Sequence, residues 1–195
     1  MIEPVEIRPY RSLDRADVYD VCVRTAAAGG DATGVYSTDD LMPDVFAGPY
    51  LEFQPDLAFV VDSGDRVAGY VIAAADTRDF VRRVRAEWLP AFAEKYREHE
   101  PADDWVVAMG LDPERMLVPE VDAYPAHLHI DLLPELQGQG WGRALIDTLR
   151  AELVSRGIPG LHLTMDPANT AARAFYDRLG FVELPSGALG ITLAE

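Results

Sequence analysis

Apolar and polar residues alternate from Ala126 through His127, Leu128, His129, Ile130 and Asp131 to Leu132, and the stretch closes on Leu133-Pro134. A period of two predicts a strand with one buried face. Shortly afterwards Ala144, Leu145, Ile146 and Leu149 recur at helical spacing, which predicts an amphipathic helix. Elsewhere the pattern predicts a strand over Val5–Arg8, then a helix capped by Ser12 that buries Leu13, Ala16, Val18 and Cys22 and ends at Gly29-Gly30. A short helix follows around Asp40–Leu51, in a region whose aromatics Tyr36, Phe46 and Tyr50 are candidates to pack or to line a pocket. Leu57–Val61 and Arg66–Ala75 flank Asp62-Ser63-Gly64-Asp65, a hairpin signal. Asp79–Glu98 carries Phe80, Val84, Trp88, Phe92 and Tyr96 along one helix face, with Pro90 expected to kink or split it. Pro101–Tyr124 is expected to be irregular and holds an acidic run.

Between the alternating strand and the helix, Gly138, Gly140 and Gly142 stand at every second position. Glycine tolerates positive φ and lets a ligand approach the main chain. A turn of this kind opening a helix leaves N–H groups unpaired at the positive end of the helix dipole, which suits an anion such as phosphate.

A chain of 195 residues forms one full core, and an apolar content of 49% is that of a globular protein. The expected organisation is one domain over 1–195 with an insertion at about 77–125. A formal charge of -16 argues against nucleic-acid binding, which needs clustered Lys and Arg. Cys22 is the sole cysteine and reads as a buried thiol. With no apolar run of membrane length and no signal peptide, the expectation is a cytoplasmic protein without a membrane partner. No cluster shows metal-ligand spacing.

Gln137-Gly138-Gln139-Gly140-Trp141-Gly142 matches Q/R-x-x-G-x-G/A, the pyrophosphate signature of the GNAT acyltransferases, and about thirty residues on Asn169-Thr170-Ala171-Ala172-Arg173-Ala174-Phe175-Tyr176 precedes Leu179-Gly180-Phe181. That pair, in this order and spacing, resembles the GNAT N-acetyltransferases. The stretches PAHLHIDLLP and AFYDRLGF, with the long insertion, resemble more closely the free-standing bacterial relatives of the histone-acetyltransferase-like domain of O-GlcNAcase. The animal domain has a degraded phosphate loop, whereas the loop here is intact.

The resemblance implies an α/β (α+β) GNAT fold: a mixed, mostly antiparallel sheet with helices on both faces, splayed between its fourth and fifth strands. Acetyl-CoA is the implied co-substrate, with no metal. The main-chain N–H near Ile130 is expected to polarise the thioester carbonyl, and the backbone of Leu132 and Leu133 to pair with pantetheine. Gln137, Gly138, Gln139, Gly140, Trp141, Gly142 and Arg143 are expected to hold the pyrophosphate, with Asn169 also at the cofactor. Tyr176 matches the family's general acid. The base stays open between Asp131 and His129, which share a strand face with His127 unless a bulge intervenes. The acceptor is an amine of a small molecule, peptide or protein. The acidic residues Asp103, Asp104, Asp112, Glu114, Glu120 and Asp122 either form a solvated face or favour a cationic acceptor. The resemblance leaves room for a homodimer. The rival reading is a non-catalytic domain that binds acyl-CoA or a protein.

Overall fold

Strands Glu6–Pro9 (β1), Ala58–Asp62 (β2), Val67–Ala74 (β3), Ala126–Leu132 (β4), Gly160–Leu163 (β5), Val182–Glu183 (β6) and Leu189–Thr192 (β7) form one sheet in the order β1-β2-β3-β4-β5-β7-β6. The computed structural model describes residues 5–27 and 29–193; the expected span 1–195 also includes residues 1–4, 28 and 194–195, which lie outside the described residues. Every neighbouring pair is antiparallel except β4 with β5. That parallel pair is joined by a crossover helix, Trp141–Ser155 (α7), as parallel strands require.

The β4–β5 ladder holds only Ala126 opposite Leu161 and His127 opposite His162, after which the strands part. Beyond that point β4 has one partner, β3, with Gly69 opposite Leu132 and no register shift. The only irregularity in the adjoining β2–β3 ladder is opposite the Val61–Asp62 step, where Ala68 of β3 is the extra residue, so no bulge turns His129 or Asp131 to the other face.

Helices cover both faces. On one, Leu145, Ile146, Leu149 and Leu153 of α7 are wholly buried against β2, β3 and β4. On the other, Arg15–Thr25 (α1) buries Val18, Val21 and Cys22 against β3 and β4. Burial of each such aliphatic side chain contributes about 1.5–3 kcal/mol. Ser12 does not cap α1; it opens a 3-10 turn, Ser12–Asp14, in which the Asp14 carboxylate accepts from the Arg11 N–H at 2.7 Å and from the Arg8 guanidinium.

The single short helix expected near residue 45 is two, Leu41–Phe46 (α2) and Gly48–Phe53 (α3). The segment after β3 forms Thr77–Arg83 (α4), a π turn over Val84–Trp88 and Leu89–Lys95 (α5). Pro90 falls in the first turn of α5, where its missing N–H costs nothing.

The run expected to be irregular contains a further helix, Asp104–Leu111 (α6). Its acidic start hid it: Asp103 and Asp104 flank a helix N-terminus, where negative charge is favourable. Val106 and Val107 of α6 pack with Leu41, Met42, Val45, Phe92 and Tyr96 in a second apolar cluster. Beside it the Asp44 carboxylate accepts from the hydroxyls of Tyr19 and Tyr96 and from Lys95 Nζ, each at 2.8 Å, tying α1, α2 and α5 together.

The acidic run is largely engaged within the fold. Asp103 is fully buried and accepts from the Ser37 N–H at 3.0 Å and the Glu100 N–H at 3.2 Å. Glu114 pairs with Arg85, Asp122 with Arg78 and Asp104 with His99, while Glu120 accepts from the Ser186 N–H.

Candidate active site

The glycine turn leads from the end of β4 into α7. Gly138 and Gly140 have φ of 72° and 91°, and a Cβ on either would meet no atom within 4 Å, so the backbone faces open space. Gly142 differs: a Cβ there would lie 3.2 Å from Leu132 and from the Phe175 ring, so its lack of a side chain lets α7 approach β4 and the helix Thr170–Arg178 (α8). The first helical bond of α7 runs from the Ala144 N–H to the Gly140 carbonyl, and the N–H groups of residues 138–143 find no backbone acceptor among the described residues. Gln137 is already committed, its N–H to the Pro134 carbonyl and its amide to the Leu132 carbonyl.

This turn forms one wall of a cleft of about 650 Å³. Ile130, Asp131, Leu132, Gln137, Gly138, Gly140, Gly142, Arg143, Asn169 and Tyr176 all line it, so most of the expected site residues converge. Gln139 and Trp141 do not: the Gln139 amide turns back to the Glu135 carbonyl and the Trp141 side chain packs against the core, leaving only their main-chain N–H groups to the turn. Asn169 serves first as the cap of α8, its side chain accepting from the Ala172 N–H at 3.0 Å.

The main-chain groups of β4 divide by the alternation of an antiparallel ladder. The Leu133 N–H donates to the Ala68 carbonyl at 3.0 Å, so in this register Asp131 and His129 bond to β3 while Ile130 and Leu132 direct their N–H groups into the gap left by β5. The expectation for Leu133 is therefore corrected. Its N–H is taken by Ala68, its carbonyl by the Leu136 N–H, and its side chain is fully buried.

Asp131 is half-buried at the α1 side of the cleft and accepts from the Tyr70 hydroxyl at 2.5 Å. Burial pushes its pKa up to about 6, with the hydrogen bonds of Tyr70 and Thr25 pulling partly back. A carboxylate in that range is ionised near neutrality yet takes a proton readily. Tyr176 is buried against Phe175 and Phe181, with burial first and the nearby Asp131 charge second raising its pKa. Its hydroxyl makes no hydrogen bond to protein among the described residues, so a protonated phenol with a free donor faces the cleft.

His129 stands apart. It does not line the cleft; its ring packs edge-on against Phe46 at 5.9 Å and Tyr50 at 5.2 Å, and burial, then the Arg115 charge, lowers its pKa to about 3. An imidazole so weakly basic is a poor proton acceptor, which corrects its candidacy as the base. His127 is a core residue: Thr77 gives its hydroxyl proton to the Pro125 carbonyl, so His127 Nδ1–H donates to Thr77 Oγ1 and Nε2 accepts from the Tyr50 hydroxyl, both at 2.7 Å.

Two groups escaped the sequence reading. Thr25, at the end of α1, reaches the cleft beside Asp131, and Arg178, at the end of α8, joins Arg143 at its rim, where the Arg143 guanidinium donates to the Arg178 carbonyl at 3.1 Å. Arg143 and Arg178 have no ion-pair partner among the described residues, in a chain where most basic side chains have one. Free N–H groups and unpaired guanidinium groups around open space fit a polyphosphate. Among the described residues no group of His, Cys, Asp and Glu could hold a metal ion, and no helix is long and apolar enough to cross a membrane.

A splayed mixed sheet, a glycine turn with its N–H groups free and a phenol beside the splay define an acyl-CoA-dependent acyltransferase. The sequence model of the Acetyltransferase (GNAT) family matches residues 31–181, and the chain belongs to that family. Acetyl-CoA is accordingly its co-substrate and N-acetyl transfer its reaction class. A crystal structure of SsHAT is 51% identical, covers 99% of this chain and 100% of its own, and superposes with a TM-score of 0.92. Protein O-GlcNAcase of Rattus norvegicus is 25% identical over 184 residues, 91% of this chain; those residues make up 20% of that protein, so the chain spans about a fifth of its length. The [Ribosomal protein bS18]-alanine N-acetyltransferase of Escherichia coli K12 is 48% identical over 50 residues, 26% of this chain and 34% of that one.

Proposed function

We propose that the chain, acting as one domain, transfers the acetyl group of acetyl-CoA to an amine of a small molecule, peptide or protein, with Asp131 as proton acceptor and Tyr176 as proton donor. The observation that carries this reading is the meeting of both side chains, in complementary protonation states, with the free N–H groups of β4 in one cleft. An amine with a pKa of about 10 arrives as ammonium, and the Asp131 carboxylate, directly or through one water, takes its proton. The amine lone pair then attacks the thioester carbon while the Ile130 N–H stabilises the charge growing on the carbonyl oxygen. As the carbon–sulfur bond breaks, Tyr176 gives its phenolic proton to the sulfur, and the second proton that the nitrogen sheds as the amide forms is returned through water to the Tyr176 phenolate. The turn at residues 138–143, with Arg143 and Arg178, holds the phosphates and so fixes the thioester against β4.

The acidic insertion lends less to a cationic acceptor than its sequence promised, because most of its carboxylates are bonded within the fold. The attraction for an ammonium group rests instead on the net charge of -16 and on Asp131 itself. A cytoplasmic bacterial setting accompanies this reading, supported by the buried lone thiol of Cys22 and the likeness to free-standing bacterial forms.

The test is release of free thiol from acetyl-CoA in the presence of a panel of primary amines, with mass spectrometry of the amines. Thiol release matched by acetylated amine is expected. Binding of acetyl-CoA without release for any amine would make this a cofactor-binding domain only.

A further inference from the structure

Most basic side chains of the protein are paired with a carboxylate; among the described residues the exceptions are Arg11, Arg115, Arg143 and Arg178. Arg11 is exposed near the start of the chain, and Arg143 and Arg178 border the phosphate cradle. Arg115 is different: it is half-buried, on the 3-10 turn Pro113–Met116 that precedes β4.

Its guanidinium is held on two sides. Nε donates to the Met109 carbonyl at 2.8 Å, and the group stacks over the Phe46 ring at 5.0 Å. Phe46 in turn packs edge-on against His129. The terminal N–H donors meet no protein acceptor among the described residues. Leaving a half-buried cation unpaired is costly, and in a chain of 33 acidic residues a partner would be easily supplied. A fixed, face-stacked guanidinium with its fork free is the form that binds carboxylate or phosphate in bidentate fashion.

The phosphate cradle already has its own donors, beyond the C-terminal end of β4. Arg115 stacks on Phe46 and Phe46 packs against His129, which shares a face of β4 with Asp131, two residues and about 7 Å further along the strand; Arg115 therefore lies beyond His129 as seen from Asp131. Resting on the acetyltransfer reading above, we propose that Arg115 binds an anionic group of the acceptor, so that the acceptor is a small amine carrying a carboxylate or phosphate on the order of 7–10 Å from its nitrogen. The ammonium end goes to Asp131, the anionic end to Arg115, and His129 lies between them on the same face of β4.

The test uses matched acceptors that differ only in the anion: 6-aminohexanoate against 6-aminohexanamide for a carboxylate, and glucosamine 6-phosphate against glucosamine for a phosphate. In the native protein the charged member of at least one pair should have kcat/KM at least about tenfold higher, mainly through KM. In Arg115→Met that ratio should fall to within about twofold of unity, and Arg115→Lys should keep part of it, while the dissociation constant of acetyl-CoA stays within about twofold. Should Arg115→Met fail to fold, the drop in ratio in Arg115→Lys decides. Equal use of charged and neutral members, or a ratio unchanged by the substitutions, would overturn the assignment of Arg115 and leave acetyl transfer standing. Turnover of none of the four amines would overturn the acceptor class proposed here, and turnover of no amine in the wider panel would overturn the acetyltransfer reading itself.

Discussion

The two sides of β4 are built on different plans. On the cofactor side most donors come from one continuous stretch, Ile130 to Arg143, joined by Arg178 of α8, and the main working groups are main-chain N–H groups fixed by strand register and by glycines at positive φ. On the side proposed for the acceptor the groups are side chains drawn from α1, α2 and the insertion: Thr25 beside Asp131 in the cleft, and Arg115 stacked on Phe46, which packs against His129. The first plan recognises a constant ligand with backbone geometry that few substitutions can disturb. The second sets specificity through side chains, each replaceable without refolding the strand.

The largest effect should come from breaking the backbone plan. Gly140→Asp places a carboxylate in the space where an anion belongs, at a φ that L-residues rarely adopt. Repulsion of about 4 kcal/mol between charges some 4 Å apart implies roughly a 1000-fold loss of acetyl-CoA affinity by calorimetry. Native affinity in this variant would show that the turn is not the phosphate site.

Tyr176→Phe tests where the two plans meet. The hydroxyl bonds nothing in the protein among the described residues, so stability and acetyl-CoA affinity should hold while kcat falls about 100-fold. Unchanged turnover across pH would remove Tyr176 from proton transfer.

Asp131→Asn sharpens the acceptor side and has the smallest expected kinetic effect, about tenfold in kcat at pH 8. Native kcat/KM should rise with pH through a limb near 6, and the variant should lack that limb. Stability should move the other way. Because the folded-state pKa lies above the ordinary carboxylate value, the native protein holds a proton between about pH 4 and 6 that the unfolded chain has released. That contribution is present at pH 4 and lost as pH rises through 6. The neutral asparagine should therefore melt higher than the native protein at pH 8 and close to it at pH 4. A lower melting temperature at pH 8 would mean that the bond from Tyr70 outweighs the cost of the buried charge.

The difference between the plans also governs what was legible in the sequence. The alternation at residues 126–132, the spaced glycines and the Asn169-to-Tyr176 interval are local, and the structure brings most of those residues to one cleft. Leu133 misled because strand alternation stops one residue earlier than its apolar character suggests, at the bond to Ala68. His129 misled because sharing a face with Asp131 says nothing of the aromatic wall that Phe46 and Tyr50 raise around it. Helix α6 was hidden by the acidic residues at its start, and Asp103 by a burial that the distant Ser37 N–H, together with the local Glu100 N–H, makes tolerable. Arg115 and Arg178 carry no local signature: an arginine becomes notable only when the carboxylates around it are known to be elsewhere.

Lys95, held by Asp44 and Asp40, is the only lysine in the sequence. Its sixteen other permanently cationic side chains are arginines, whose guanidinium stays protonated at any physiological pH and offers no nucleophilic lone pair. A catalyst that spends its life beside a reactive thioester is exposed to uncatalysed acylation of its own side chains. Here the one ε-amine at risk is kept as an ammonium ion by its two carboxylates, which raise its pKa against the opposing effect of burial. The chain thereby offers no free ε-amine to the protein's own reagent.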